Sequence, residues 1–320
     1  MNIAVVRTDK LGDFITALPA CKVLKNYDKN NKIYVCVSSM NAPLARECDF
    51  IDGVIIDDGC NVFELSRRLK EFKADASITL FSNTRVAVAQ FLAGIKIRIA
   101  PATKIAQIFY NKRIKQRRSE VKMAEFEYNL ELTKILFPDI NTNYEKPLLR
   151  FDDADVIYRK FCADNRIEKD IVAFHVGFGG SSDANWSLDE YEILIREVLH
   201  VNKYQVVLSF GPDEKILQSQ MQQRLRDTSA VFYLSNEGIV GFAKLIVNFK
   251  LFVSTSTGTY HLASLVGTAT MTFFGDSKFA SVARWRAVGD EALQKHYMLP
   301  QDEVNRKIIF ESVKKELSTF

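Results

Sequence analysis

The stretch Leu251–Phe274 reads LFVSTSTGTYHLASLVGTATMTFF. An apolar run ends in Ser254, Thr255, Ser256, Thr257 and Thr259, gathered around Gly258, where a helical pattern begins. A helix start presents unpaired N–H groups and a positive dipole end. Small hydroxyls add donors, and a glycine lets the backbone converge, so the set suits a diphosphate. The same hydroxyls also suit redundant capping of the helix, and spacing alone does not choose.

Three other loops carry similar chemistry. RTDKLGDF follows the first apolar run, with Gly12 for a tight turn or a close approach by a ligand, and Asp13 at a helix start. Asp13 suits the positive end of that helix, and equally a general base taking a proton from an attacking hydroxyl. GFGGSSDANWSLDEY supplies Gly177, Gly179, Gly180, Ser181 and Ser182, a donor-rich loop. It lacks the lysine of a P-loop and the full GxGxxG pattern. Ser187 with Glu190 three residues on is a capping box for the helix that follows. In GPDEK, Pro212, Asp213 and Glu214 suit a first helical turn, and a carboxylate there could also bind ribose hydroxyls. His175, His200, His261 and His296 match no metal spacing, so no metal is expected. Between Lys104 and Lys122 run Lys112, Arg113, Lys115, Arg117 and Arg118, opposed only by Glu120. That run is either a solvated face or a landing site for an anionic partner or membrane.

These loops need elements to hold them. Short apolar runs at Ile3–Arg7, Ile33–Ser38, Val54–Asp57, Ala76–Phe81 and Ile95–Ile99 read as strands, alternating with helices at Phe14–Tyr27, Asn61–Phe72, Thr84–Ala93 and Met123–Phe137. PDINTNYEKP, residues 138–147, breaks the pattern as a linker. Alternation restarts with strands at Ile171–Val176, Gln205–Phe210, Val231–Leu234, Leu251–Ser254 and Ala269–Phe274, and a last helix near Glu311–Leu317. The expectation is α/β: two doubly wound, Rossmann-like domains, 1–145 and 146–320, facing a cleft, with the last helix packing back on the first domain. All four loops then follow strand ends, where open α/β sheets bind ligands.

Composition fits this reading. The 320 residues are 47% hydrophobic and 26% charged, with a net charge of +4, too mild for wholesale coating of nucleic acid. Five cysteines without CxxC spacing read as reduced core thiols. The start is too polar for a signal peptide, and no apolar run is long enough for a membrane span. A cytoplasmic protein is expected, with room for peripheral contact at the inner face of the membrane.

Taken together, the blocks resemble the bacterial heptosyltransferases of glycosyltransferase family 9, which have the GT-B fold. IAVVRTDKLGDFITALPACKVLK resembles the family's opening strand, R-T/S-x-x-L/M-G-D loop and L-P-A helix. AGIKIRIAP, EFEYNLELTKIL, HVGFGGSSDANWSLDEYEILI and LFVSTSTGTYHLASLVGTATMTFFG are similar, in order, to the family's later blocks.

The resemblance implies metal-independent, inverting transfer of a heptose from ADP-heptose to the lipopolysaccharide core. It needs no cofactor beyond the nucleotide-sugar co-substrate. It implies Asp13 as catalytic base, Thr257, Gly258 and Thr259 as the diphosphate turn, Gly179–Ser182 as the loop over the donor's phosphates and sugar, and Glu214 near the nucleoside. With Gly12, Asn185, Ser256 and Tyr260 these residues form the expected donor set. Lys10, Arg113, Lys115, Arg117 and Arg118 form the expected acceptor set, suited to an anionic core. Two departures stand out. Ala184 and Asn185 occupy the positions of the family's Lys or Arg, and Ser187 that of its proline. Ser256 occupies the position of its acid. These leave open a different nucleotide sugar, or a binding protein with an altered donor site.

Overall fold

The computed structural model describes residues 1–103, 105–178 and 184–320. The chain divides into two compact units, Met1–Leu148 and Leu149–Phe320.

The first unit holds strands β1 (Asn2–Val6), β2 (Lys32–Val37), β3 (Gly53–Ile56), β4 (Ala76–Thr79), β5 (Ile97–Pro101) and β6 (Lys112–Ile114). Its helices are α1 (Leu11–Ile15), α2 (Leu18–Tyr27), α3 (Ala42–Arg46), α4 (Val62–Glu71), α5 (Thr84–Leu92) and α6 (Glu125–Leu136). The second unit holds β7 (Ile171–His175), β8 (Gln205–Phe210), β9 (Val231–Leu234), β10 (Leu251–Thr255), β11 (Thr270–Gly275) and β12 (Gln294–Leu299). Its helices are α7 (Ala154–Asn165), α8 (Leu188–Val201), α9 (Lys215–Arg224), α10 (Gly238–Ile246), α11 (Gly258–Leu265), α12 (Val282–Trp285) and α13 (Glu303–Thr319).

Both sheets are parallel and share one order. The first runs β3-β2-β1-β4-β5-β6 and the second β9-β8-β7-β10-β11-β12. Counted within each unit this is 3-2-1-4-5-6, the doubly wound order, whose direction reverses between the first and fourth strands. The central strands are short apolar runs because helices cover both faces: β4, β7 and β10 are buried throughout. The reversal lies between β1 and β4 in one unit and between β7 and β10 in the other. The loops after β1, β7 and β10 are three of the four singled out by their chemistry.

Three differences from the sequence reading have plain causes. The expected helix Phe14–Tyr27 is two helices, because Pro19 sits in the first turn of α2, where its missing N–H costs nothing. The sheet edges β6 and β12 are not among the expected strands: KRI and QKHYML carry charged and polar residues, and edge strands need no apolar run. Helix α13 begins eight residues before the expected start, and the apolar Val304 and Ile308 of its first half are exposed. Its buried face, Phe310, Val313 and Leu317, belongs to the second unit's own core, alongside Trp186 and Phe273.

Candidate functional site

β1 ends in the middle of its sheet, and the chain leaves it at Arg7. The Arg7 side chain is buried to 3% exposure and meets three carboxylates. Its Nη2 donates to Asp13, its Nη1 donates to Glu125 Oε1 at 3.2 Å, and its Nε lies 2.8 Å from Asp9 Oδ1. That last N–H is not aimed at the oxygen, so the contact is charge pairing without a directed hydrogen bond. Burial opposes the guanidinium charge, and the three carboxylates more than offset it, so its pKa is held above the ordinary value. Asp9 is pushed up, first by burial and then by Asp13, although Arg7 pulls the other way.

Asp13 lies in the first turn of α1, but the partner of its carboxylate is Arg7, and the N-cap position belongs to Lys10. Its side chain keeps 20% of its surface open. Capping therefore does not account for it. The side chain is held by an ion pair at the mouth of the sheet, partly open to solvent.

The network continues through Glu125, at the start of α6 and buried to 2%. Arg118 donates to the same Glu125 oxygen, to Gln116 Oε1 through Nε (3.1 Å) and Nη2 (2.8 Å), and to Asn129 Oδ1. Asn129 in turn donates to the Thr16 carbonyl at 3.0 Å, fixing the turn after α1. Arg118, expected to meet an acceptor, is thus drawn inward to 15% exposure and braces the Asp13 loop. Arg117 pairs with Glu120, while Arg113 and Lys115 remain exposed. Gly12 sits one residue before Asp13 in α1.

In the second unit, Asn185 joins two strand ends. Its Nδ2 donates to the Val176 carbonyl, and its Oδ1 accepts from Tyr191 at 3.0 Å and from Thr255. Asn185 is therefore a strut between the loops after β7 and β10. Ser187 caps α8 with Glu190 in the expected capping box. Arg306, from α13, lies 4.5 Å from the Trp186 ring centroid, pairs with Glu190 at 3.1 Å and donates to the Asn185 carbonyl. The cation beside the tryptophan thus comes from the far end of the chain, and Glu190 balances it. Gly179, Gly180, Ser181 and Ser182 lie outside the described residues.

The opening hydroxyl cluster separates into parts. Ser254 and Thr255 are buried at the end of β10. Ser256, Thr257, Gly258 and Thr259 are half-buried where α11 begins. Thr257 occupies the N-cap position, yet its hydroxyl makes no capping bond and pairs with the Thr259 hydroxyl at 2.8 Å. The first-turn N–H groups of α11 are therefore not taken by that cap, which leaves donors and a dipole end for an anion. Tyr260, expected to touch the donor, instead faces inward. It is fully buried, and its hydroxyl accepts from the Ala287 N–H and bonds Gln294 and His296.

Glu214 accepts from the Gly211 N–H at 2.7 Å and packs on the backbone of Gly177, where a Cβ would lie 1.8 Å from its Oε1. A side chain at 177 would have to push the Glu214 carboxylate out of this position. His175 Nε2 is 3.9 Å from Glu214, but burial pushes the imidazole pKa down, so the contact is no salt bridge at neutral pH. Among the described residues, ligand atoms of Asp57, Asp58 and Cys60 gather within 4.8 Å of one another. There Arg85 holds Asp57 at 2.6 Å and Arg68 holds Asp58 at 3.2 Å.

His261, on the first turn of α11, has its pKa pushed by burial from 6.5 to about 4. The unfolded chain binds this proton near pH 6.5, the folded chain only near 4. Its contribution to stability is therefore full above pH 6.5 and is lost as pH falls toward 4, by about 3 kcal/mol in all. His175 acts in the same direction. Urea unfolding of His261→Gln across this window should show a flatter decline than the parent chain, and an unchanged slope would refute the assignment.

The sequence profile of glycosyltransferase family 9 (heptosyltransferase) matches residues 62–306. The chain belongs to glycosyltransferase family 9. A provisionally named glycosyltransferase of Haemophilus influenzae is 37% identical over 300 residues, covering 90% of this chain and 86% of the relative. Among solved structures, the family 9 chain resembles Escherichia coli ADP-heptose lipopolysaccharide heptosyltransferase II, with a TM-score of 0.79 at 17% identity and 99% of both chains covered. It also resembles Escherichia coli heptosyltransferase WaaC with ADP, with a TM-score of 0.73 at 18% identity over 100% of this chain and 99% of that one. The fold of this family 9 chain is thus GT-B, two Rossmann-like units each wound 3-2-1-4-5-6.

Arg7, Asp9, Glu125 and Arg306 are the site residues that sequence reasoning missed. A lone arginine closing an apolar strand, in IAVVR, is the one local signal, since a cation there must find carboxylates. Its pairing with Glu125 spans 118 positions and leaves no local mark.

Proposed function

We propose that the chain is an inverting, metal-independent glycosyltransferase. It moves a heptose or related sugar from a nucleotide diphosphate sugar, ADP-linked, to the anionic core of lipopolysaccharide. The observation that carries this reading is the content of the two switch points. A carboxylate held by a buried arginine lies at one, and a helix start with an uncommitted first turn lies at the other.

Asp13 accepts the proton of the acceptor hydroxyl as that oxygen attacks the anomeric carbon. The new C–O bond forms on the face opposite the old one, so the configuration inverts. The bond to the diphosphate breaks, and the diphosphate leaves with the electron pair. The N–H groups at Gly258 and Thr259 and the α11 dipole stabilise that charge. Arg7 keeps Asp13 in place and does not itself touch the reacting atoms. In support, heptosyltransferase II acts with ADP-heptose by its name, and WaaC was solved with ADP.

Ser256, which stands where the family's acid is expected, favours a second reading: the same reaction with a different sugar on the nucleotide. A binding protein with an altered donor site is the third. Thermal melts with a panel of nucleotides and nucleotide sugars separate them. A ligand at a hundred times its Kd adds about 2.7 kcal/mol of stability, a readily measured rise in Tm. ADP or an ADP-sugar should give the largest rise, and lipopolysaccharide core lacking its outer sugars should then gain one sugar mass. Stabilisation by another nucleotide sugar selects the second reading. No stabilisation by any nucleotide removes the transferase reading.

A further inference from the structure

We propose that the 3-10 turn Ile105–Phe109, with the basic strand edge beside it, is a docking face for an anionic lipid surface. A 3-10 turn has three residues per turn, so side chains at i and i+3 eclipse. Ile105 and Ile108 therefore share one edge, and they are 80% and 68% exposed. The turn itself is well anchored. Ala106 is buried, the Phe109 ring lies 5.9 Å from that of Phe91, and Arg98 Nε donates to the Phe109 carbonyl at 2.7 Å. Phe91 and Leu92, at the end of α5, are 51% and 46% exposed and extend the apolar surface. Two isoleucines held outward on an anchored turn need something apolar to enter.

The surrounding charge says what that is. From Ala76 to Ser119 the chain carries nine Lys or Arg and no Asp or Glu. Next to the turn, β6 is the sheet edge, with Lys112 and Arg113 exposed. Arg113 reaches back to the Gln107 carbonyl at 3.5 Å. Lys96 is exposed close by, its carbonyl bonded by Asn111 next to Lys112. An apolar tip flanked by the exposed cations Lys96, Lys112 and Arg113 matches the acyl boundary and head groups of an anionic bilayer. A second copy of the chain would bring the same positive charge and be repelled. A free phosphate would have no use for the isoleucines. No helix among the described residues is long and apolar enough to cross a membrane, so this face would act at the surface.

The inference does not depend on the transfer reading. It is tested by co-sedimenting the full chain with vesicles of phosphatidylglycerol and phosphatidylcholine, or of phosphatidylcholine alone, at low and high salt. These vesicles contain no sugar acceptor and no nucleotide, so their outcome and that of the donor screen are separate. Binding should require phosphatidylglycerol and weaken with salt. Lys96→Ala and Lys112→Ala should each weaken it about fivefold. Ile105→Ser combined with Ile108→Ser should weaken it at least about tenfold. Phe63→Ser, which removes a 73% exposed side chain from α4, should leave binding unchanged. All these side chains are exposed, so melting temperatures should hold and exclude misfolding. Failure to bind phosphatidylglycerol vesicles, equal binding to phosphatidylcholine, or full binding by the double serine variant would overturn the proposal. So would concentration-dependent self-association that the double serine variant abolishes.

Discussion

Asp13→Asn should lower kcat about a thousandfold, the usual scale for losing a general base, while the donor's Kd stays within about twofold. The asparagine keeps the size of the side chain and can accept from Arg7, so the loop after β1 should survive. It cannot take a proton from the acceptor. The split between turnover and binding is the informative result. The proposed diphosphate contacts at Gly258 and Thr259 lie in the unit holding α11 and Asp13 lies in the other, so a loss confined to donor affinity would contradict the role. Single-turnover rates with saturating donor, together with calorimetric donor binding, give both numbers. A variant that turns over at the parent rate would remove Asp13 from the mechanism.

Arg7→Met should be the most destabilising single change in the first unit. It removes the cation shared by Asp9, Asp13 and Glu125 and leaves those carboxylates facing one another, with Arg118 still paired to Glu125. Breaking a buried ion pair from one side costs about 3–5 kcal/mol, equivalent to roughly 10 °C in Tm for a unit of this size. The loss should depend on pH in a definite sense. Without Arg7 the folded carboxylates hold their protons more tightly, so the penalty is greatest at neutral pH and shrinks as pH falls through the carboxylate range. Arg7→Lys should recover part of the stability but little of the activity, since an ammonium cannot reach three carboxylates with the guanidinium's fork. Melts of the two variants from pH 7 to 4.5, with turnover measured where both are folded, test this. A penalty for Arg7→Met that is constant across that range would show that lost packing, rather than charge, is the cause.

Much of the architecture was legible because it depends on local patterns. Apolar runs such as IAVVR and IVAFH fit central parallel strands, buried on both faces, and the helical periods between them fit doubly wound units. Ser187 with Glu190 announced its capping box for the same reason: both partners lie within one turn. Among the elements that escaped, β6, β12 and the first half of α13 are edges or exposed faces, which need no apolar period.

The site follows the same division. The sequence by itself determined which loops hold the candidate residues, since glycine, hydroxyl and acid clusters after apolar runs are local features. It also placed Asp13 and Thr257–Thr259 at helix starts. Only the tertiary structure decided what each side chain faces. It turned Asp13 toward Arg7, committed Tyr260 to the core and Asn185 to a strut, drew Arg118 inward to Glu125, and brought Arg306 onto Trp186. Those pairings join residues as far apart as Trp186 and Arg306. Charges and polar atoms in a low-dielectric interior must find partners wherever the fold brings them together, and nothing in the neighbouring sequence says where that is.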